Sequence, residues 1–147
     1  MKLIKNLATL LLVVFSITVA SAQSNDAKKL IVNKWVIDQE AMKPVIMTML
    51  ATNPQFAGLD EASKASTLAM VMGQVSSVKI EYKADGTMLR TDSSGDGAGT
   101  WTLSADGKEL TTKSEGKPEK KFTILELAKT KLSIVAPDGK NVILKTE

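Results

Sequence analysis

The chain has neither histidine nor cysteine among its 147 residues. It therefore cannot assemble the Ser-His-Asp or Cys-His systems that activate a nucleophile. It also lacks the nitrogen and sulfur ligands of zinc, copper and iron sites, and the usual haem ligands other than methionine and tyrosine. No glycine pattern matches a phosphate-binding loop or a dinucleotide fingerprint. We predict no catalytic residue, no metal site and no cofactor, and we do not expect an enzyme.

One pair of acids could in principle support glycoside hydrolysis, which needs two carboxyl groups. Asp60 and Glu61 are adjacent in the sequence. They stand where a helix is predicted to begin, and acidic residues there interact favourably with the helix dipole. A hydrolytic enzyme is therefore ranked third, after the two binding functions described at the end of this section.

A second acidic group has the spacing of a calcium loop. Asp92, Ser94, Asp96 and Gly97 match its first, third, fifth and sixth positions. Leu103 stands at the twelfth position, where calcium needs a bidentate glutamate. The flanking residues also alternate as strands do, so we predict a polar hairpin loop at 92–97 that does not bind calcium tightly.

Residues 1–22 have the three parts of a secretory signal peptide. Lys2 and Lys5 are basic, residues 7–19 are apolar, and the small residues of 20–22 suit a signal peptidase. No cysteine follows for attachment of a lipid. The expected mature protein, residues 23–147, is exported to the periplasm or secreted, and it is not inserted in a membrane. It is also nearly neutral, since two of the three net positive charges leave with the signal peptide. We therefore expect no nucleic-acid partner. A protein partner is not identified.

From residue 77 onward, apolar and polar residues alternate in short segments. This period of two is typical of antiparallel strands with one buried face. Seven strands are predicted there, and Lys34-Trp35-Val36-Ile37 supplies an eighth before them. Because consecutive hairpins leave exposed edges unless the sheet closes, we predict an eight-stranded antiparallel up-and-down barrel.

Asp-Gly pairs predict three of the hairpins. A two-residue loop at 106–107 places Leu103 opposite Leu110. A three-residue loop at 137–139 places Ile134 opposite Val142, and Leu132 opposite Leu144. The loop at 85–86 leaves two registers open, since a two-residue loop turns Leu89 inward and a three-residue loop turns Met88 and Arg90 inward.

Between the first two strands, about 41–74, the sequence is rich in alanine, methionine and leucine. We predict two helices there. Pro44 suits the first turn of one, which ends at Asn53-Pro54. Asp60 caps the other, which stops at Gly73. The methionines either fill the core or form a flexible lid over an apolar pocket.

The order of these elements resembles the lipocalin-like domain proteins exported by many bacteria of the Bacteroidetes group. The likeness is carried by Asn33-Lys34-Trp35, by 80–87, by 99–108 and by 124–127. The resemblance implies a lipocalin-like fold over 23–147. It implies little about biochemistry.

Eight strands can enclose a small ligand or be filled by side chains. The leading hypothesis is binding of a small apolar molecule inside the barrel. The alternative is a filled barrel that acts through its surface as a structural or inhibitory protein. The candidate pocket residues are Trp35, Tyr82, Trp101, Phe122, Ile80, Met49, Met72 and Arg90, the last as the only guanidinium available to a ligand carboxylate if it points inward.

Overall fold

A computed structural model describes residues 25–147; the predicted signal peptide lies outside them. Eight strands form a closed barrel in which neighbours in the sequence are neighbours in the sheet. All pairs are antiparallel. The strands are β1 (Lys34–Ile37), β2 (Lys79–Tyr82), β3 (Thr87–Asp92), β4 (Gly95–Leu103), β5 (Glu109–Ser114), β6 (Lys120–Leu127), β7 (Lys131–Val135) and β8 (Asn141–Thr146).

The barrel closes between its first and last strands. Trp35 on β1 lies opposite Ile80 of β2 on one side and Thr146 of β8 on the other. Closure pairs both edges of the sheet, so no strand is left with an open ladder of backbone groups. The predicted fold class, an eight-stranded up-and-down barrel with helices after its first strand, is confirmed.

The first hairpin adopts the three-residue loop. Lys83 donates its backbone N–H to the Thr87 carbonyl at 2.9 Å, which leaves residues 84–86 as the loop. Gly86 has φ +84°, a conformation that costs glycine little because it has no Cβ. Tyr82 therefore lies opposite Met88, and Ile80 lies opposite Arg90. Of the two registers left open by the sequence, the one that turns Met88 and Arg90 inward is present.

The other two predicted hairpins have the expected facing pairs. Leu103 lies opposite Leu110, and Ile134 lies opposite Val142. The loop after β4 is longer than predicted, because Ser104 N–H bonds to the Glu109 carbonyl and four residues lie between them. An Asp106 carboxylate oxygen accepts the Lys108 N–H within that loop, which provides a local partner in place of a two-residue turn.

The predicted loop at 92–97 is wrong in its length. β3 continues to Asp92 and β4 begins at Gly95, so Asp96 and Gly97 belong to a strand. Asp92 shares a face with Arg90 and bonds to it at 3.0 Å. Asp96 lies on the other face and accepts from the Thr91 hydroxyl at 2.7 Å. The two carboxylates thus point to opposite sides of the sheet, an arrangement unlike that of a calcium loop.

Within residues 25–147, four helices accompany the barrel: residues 25–31 form α1, followed by α2 (Gln39–Ala51), α3 (Pro54–Ala57) and α4 (Glu61–Ser76). Asp38 caps α2 through the Ala41 N–H, so this helix begins earlier than predicted and Pro44 lies in its second turn. Asp60 caps α4 as predicted, accepting from Ser63 N–H at 2.8 Å. That helix continues past Gly73 to Ser76. No helix among residues 25–147 has the length and apolar character needed to cross a membrane.

The two ends of the barrel differ. At the end where β1 begins, α1 packs beneath the strands, and the Trp35 indole N–H donates to the Ile31 carbonyl at 2.8 Å. Residues with essentially no exposed surface fill much of the interior: Ile31, Trp35, Leu110, Leu132 and Leu144. At the opposite end, α2 and α4 contact each other, and they contact β8 and β1 respectively.

Candidate ligand-binding cavity

The barrel contains a cavity of about 290 Å³ on the side of α2 and α4. Its walls come from strands all round the barrel and from the two helices. Most are apolar side chains that the alternation of each strand directs inward. The apolar lining consists of Ile37, Met42, Val75, Val78, Ile80, Tyr82, Met88, Phe122, Ile134, Val142 and Leu144.

Met42 of α2 and Val75 of α4 cover the cavity. Met42 is buried, and Ile46 one turn later is buried beside it in the core. Val75 belongs to the last turn of α4, immediately before the chain enters β2. The helical segment therefore closes this end of the barrel with apolar side chains.

Three hydroxyl groups interrupt the apolar lining. Thr112 and Ser114 of β5 contribute two of them, and Tyr82 contributes the third. Tyr82 packs edge-to-face on Trp101, with ring centroids 5.7 Å apart. Burial raises the pKa of Tyr82, and the nearby Arg90 charge opposes that shift. Tyr82 therefore presents a protonated hydroxyl at neutral pH.

Cationic groups lie where the cavity meets solvent. Arg90, Lys117 and Lys120 all line it, together with Pro118. The Arg90 side chain is 47% exposed and forms an ion pair with Asp92, Nε to Oδ2, at 3.0 Å. Lys120 lies opposite the buried Thr112, which places it on the inner face of β6.

A second hollow, of about 420 Å³, adjoins this rim. It shares Arg90, Ser114 and Lys117 with the cavity and extends along the start of β4. The inward positions of β4 there are Gly97 and Gly99, opposite Arg90 and Met88. Because glycine has no side chain, this part of the barrel interior is left unfilled.

Four predicted pocket residues come together around the cavity: Ile80, Tyr82, Phe122 and Arg90. Trp35 and Trp101 are buried in the core beyond the lining, where Trp101 donates its indole N–H to the Lys83 carbonyl at 3.0 Å. Trp101 does not line this cavity. Tyr82 lies between Trp101 and the cavity.

The two predicted methionines do not line the cavity. Met49 lies seven residues beyond Met42, about 10 Å along the helix, and its side chain is 45% exposed. Met72 is partly buried against the core, on the same helix as Val75. The predicted pocket omitted most of the lining, including Met42, Val75, Val78, Lys117 and Lys120. Lys120 could have been found, since it stands two residues before Phe122 and shares its face.

A larger groove of about 640 Å³ lies on the outside, between residues 28–32 and the first hairpin. Its lining includes Lys28, Lys29 and Trp101. It is more open to solvent than the interior cavity. Enclosure by apolar walls with a few convergent polar groups is typical of small-molecule sites, so the interior cavity is the better candidate.

Within residues 25–147 no three or more acidic residues come together as metal ligands would. The groups that face the cavity are hydroxyls, ammonium groups and one guanidinium, all of which can donate hydrogen bonds. The arrangement is suited to holding a molecule with an apolar body and a hydrogen-bond acceptor at one end.

Comparison with known proteins gives a similarity in fold. No family model and no curated protein matches the sequence. Among solved structures, the fold is similar to that of a DUF4847 family protein from Bacteroides vulgatus, with a TM-score of 0.54 and 14% sequence identity. The match covers 78% of this chain and 92% of that one. At this identity the similarity concerns the fold, which is that of a barrel protein known from the Bacteroidetes group.

Proposed function

We propose that this is an exported, lipocalin-like protein that binds a small apolar molecule inside its barrel, without catalysis and without a cofactor. One observation carries the proposal: a partly enclosed, largely apolar cavity of about 290 Å³ in the half of the barrel nearest α2 and α4. That volume is close to the lower end of the range for ligand pockets, about 300 Å³. A filled barrel would have no such space.

The volume limits the size of the ligand. One water molecule occupies about 30 Å³ of liquid, and a methylene group is of similar size. A cavity of 290 Å³ therefore has room for about ten heavy atoms. We expect a medium-length chain or a compact ring system, and we expect longer chains to require displacement of Met42 and Val75.

The helical segment supplies the route of entry. Its contacts with the barrel are made mainly by α2 on β8 and by α4 on β1, whereas α3 has few. A long insertion that covers a cavity is commonly a lid. Met42 is unbranched and can change rotamer with little cost, so it can adapt to different guests.

The proposal of export depends on the sequence features of residues 1–22, and the lipocalin-like assignment depends on the ordered motifs from 33 to 127. The barrel closed by its first and last strands supports the assignment at the level of fold. An exported protein would meet its ligand outside the cytoplasm.

A second function is favoured by a different observation. Large apolar side chains are exposed on the outer surface of the helical segment: Met47, Met49, Leu59 and Met70, with exposed fractions from 37% to 63%. Methionine-rich surfaces often bind protein partners. On this alternative the protein acts by surface contact, and the interior is of no functional importance.

Calorimetric titration with straight-chain alcohols from hexanol to tetradecanol tests the first function. We expect saturable binding of one alcohol per chain, tightest near decanol. Thr112→Phe fills the cavity from an inward position and should abolish binding. Thr111→Phe is the matched control, because its side chain points outward from the neighbouring position of the same strand.

Absence of binding for every alcohol would overturn the proposal and favour the surface function. Equal binding by the two variants would also overturn it, since the ligand would then lie outside the barrel. Native mass spectrometry of protein purified from its own source would identify any ligand retained from the cell.

A further inference from the structure

The charged residues at the mouth of the cavity are all positive. Its lining includes Arg90, Lys117 and Lys120, and no aspartate or glutamate. Yet the expected mature chain as a whole is nearly neutral, with cations and anions in almost equal number. Three cations around one opening of an apolar cavity are therefore a local concentration of positive charge.

Two of these cations form no ion pair with a residue of 25–147. Arg90 is paired with Asp92, but the ion pairs formed within residues 25–147 use neither Lys117 nor Lys120. Lys120 is also held on the inner face of β6 by its pairing with Thr112. Both lysines are exposed to solvent at the mouth, so their ammonium groups can reach an anion that enters it.

The Tyr82 hydroxyl adds a neutral donor below the cations. None of the side-chain hydrogen bonds among residues 25–147 involves it, and no side-chain polar atom there is both sealed from solvent and without a partner. The hydroxyl oxygen therefore opens into the cavity that Tyr82 lines, although the residue as a whole is only 3% exposed. It is a hydrogen-bond donor without an acceptor from the protein.

Acidic groups lie next to the mouth, and Asp92 is the ion-pair partner of Arg90. Asp92, Asp96 and Glu115 line the adjoining hollow and do not line the cavity. They would repel an anion that extended into the hollow. The favourable place for negative charge is thus the cavity mouth, between Lys117, Lys120 and Tyr82.

From this arrangement we propose that the ligand is an anionic amphiphile, a medium-length apolar chain whose single acidic group is held by Lys120, Lys117 and Arg90 and accepts a hydrogen bond from Tyr82. The inference depends on the proposed function, since it places the apolar part in the same cavity. It adds the chemical class of the ligand and the end of the barrel at which its charge lies.

The test compares three probes of the same chain length: decanoate, decanol and decylammonium. We expect decanoate to bind about tenfold more tightly than decanol, and decylammonium to bind more weakly than either. Added salt should weaken decanoate binding and leave decanol binding nearly unchanged, because salt screens exposed charges.

Variants locate the charge. Lys120→Gln and Lys117→Gln should each weaken decanoate about fivefold, the effect expected of a partly exposed ion pair, without changing the affinity for decanol. Lys113→Gln is the matched control, since this lysine of β5 lies on the outer face of the barrel. Tyr82→Phe should also weaken decanoate selectively.

The outcomes separate the two proposals. If decanol and decanoate bind equally and the lysine variants have no selective effect, the anionic head group is refuted while the apolar site stands. If none of the three probes binds, the proposed function fails and this inference fails with it. If Lys113→Gln weakens decanoate as much as Lys120→Gln does, the charge is attracted by the whole surface and the assignment to the cavity mouth is wrong.

Discussion

Leu132 and Ile134 provide a direct test of whether the barrel is filled at one end and open inside at the other. Both lie on β7, two residues apart, and both point inward. Leu132 is fully buried beyond the cavity, and it lies opposite Leu144 and Leu127. Ile134 lines the cavity and lies opposite Val142 and Ile124. Changing each to phenylalanine adds the same bulk to two different environments.

The expected costs follow from that difference. Phenylalanine adds three carbon atoms to either side chain, and its rigid ring reaches further than the branched chain that it replaces. At Leu132 there is no space for them, and overpacking of a filled core costs about 1–3 kcal/mol. At Ile134 they enter a cavity of about 290 Å³, which has room for them. We therefore expect Ile134→Phe to change the free energy of unfolding by less than about 1 kcal/mol.

Urea denaturation measures both values, with an unchanged dependence on urea as the sign that the unfolded state is the same. Titration with decanol provides the second readout, in which Ile134→Phe weakens binding and Leu132→Phe, where it folds, does not. Equal destabilisation by the two substitutions would refute the reasoning, because it would mean that the interior is uniformly packed. The surface function would then replace ligand binding.

Three further predictions concern other parts of the chain. N-terminal sequencing of the exported protein should begin at or next to Gln23, and an intact Met1 on the mature protein would reject the signal peptide. Calorimetric titration should detect no binding at micromolar calcium, and micromolar affinity that disappears in Asp92→Ala would contradict this. Because burial raises the pKa of Tyr82 above 10.0, the folded protein retains a phenolic proton that the unfolded chain loses; its contribution to stability is complete below pH 10 and declines as the pH rises above it. The difference in urea midpoint between the wild type and Tyr82→Phe should therefore change above pH 10, and parallel curves would contradict the assignment.

The strands could be predicted from the sequence because each has one buried face. Alternation of apolar and polar residues fixes which side chains point inward, and a wrong register would expose a whole face. Leu103 and Leu110, for example, satisfy the pattern only when they lie opposite each other. The first hairpin was undetermined because Leu89 and Met88 are both apolar and either could have turned inward.

The helical segment was less predictable, since its contacts depend on where the barrel ends. Met42 and Met49 are seven residues apart and lie on nearly the same side of α2, so periodicity cannot distinguish them. Only the barrel's rim decides that Met42 covers the cavity and Met49 is exposed to solvent. The rim lies where the strands end. The ends of a strand are the part of it that a sequence predicts least well.

The position of the cavity follows from the sizes of residues on β4 and β5. Near α1 the inward positions of β4 carry the large side chains of Leu103 and Trp101, opposite Leu110 and Thr112 respectively. Toward the other end Gly99 lies opposite Ser114, so this inward pair fills little of the interior. Gly99 has a further constraint, since a Cβ there would lie 2.5 Å from the Lys113 carbonyl oxygen.

That close approach excludes larger residues at position 99 unless the backbone moves, so the space beside Ser114 is maintained by the pairing of the two strands. An opening kept in this way is a feature of the barrel itself and does not depend on the helices that cover it. The helices can then change their contacts from one ligand to another. The strands hold Tyr82, Lys120 and Arg90 at fixed places around the ligand. We infer that selectivity for the ligand's charge comes from the barrel, and that tolerance of its shape comes from Met42 and Val75.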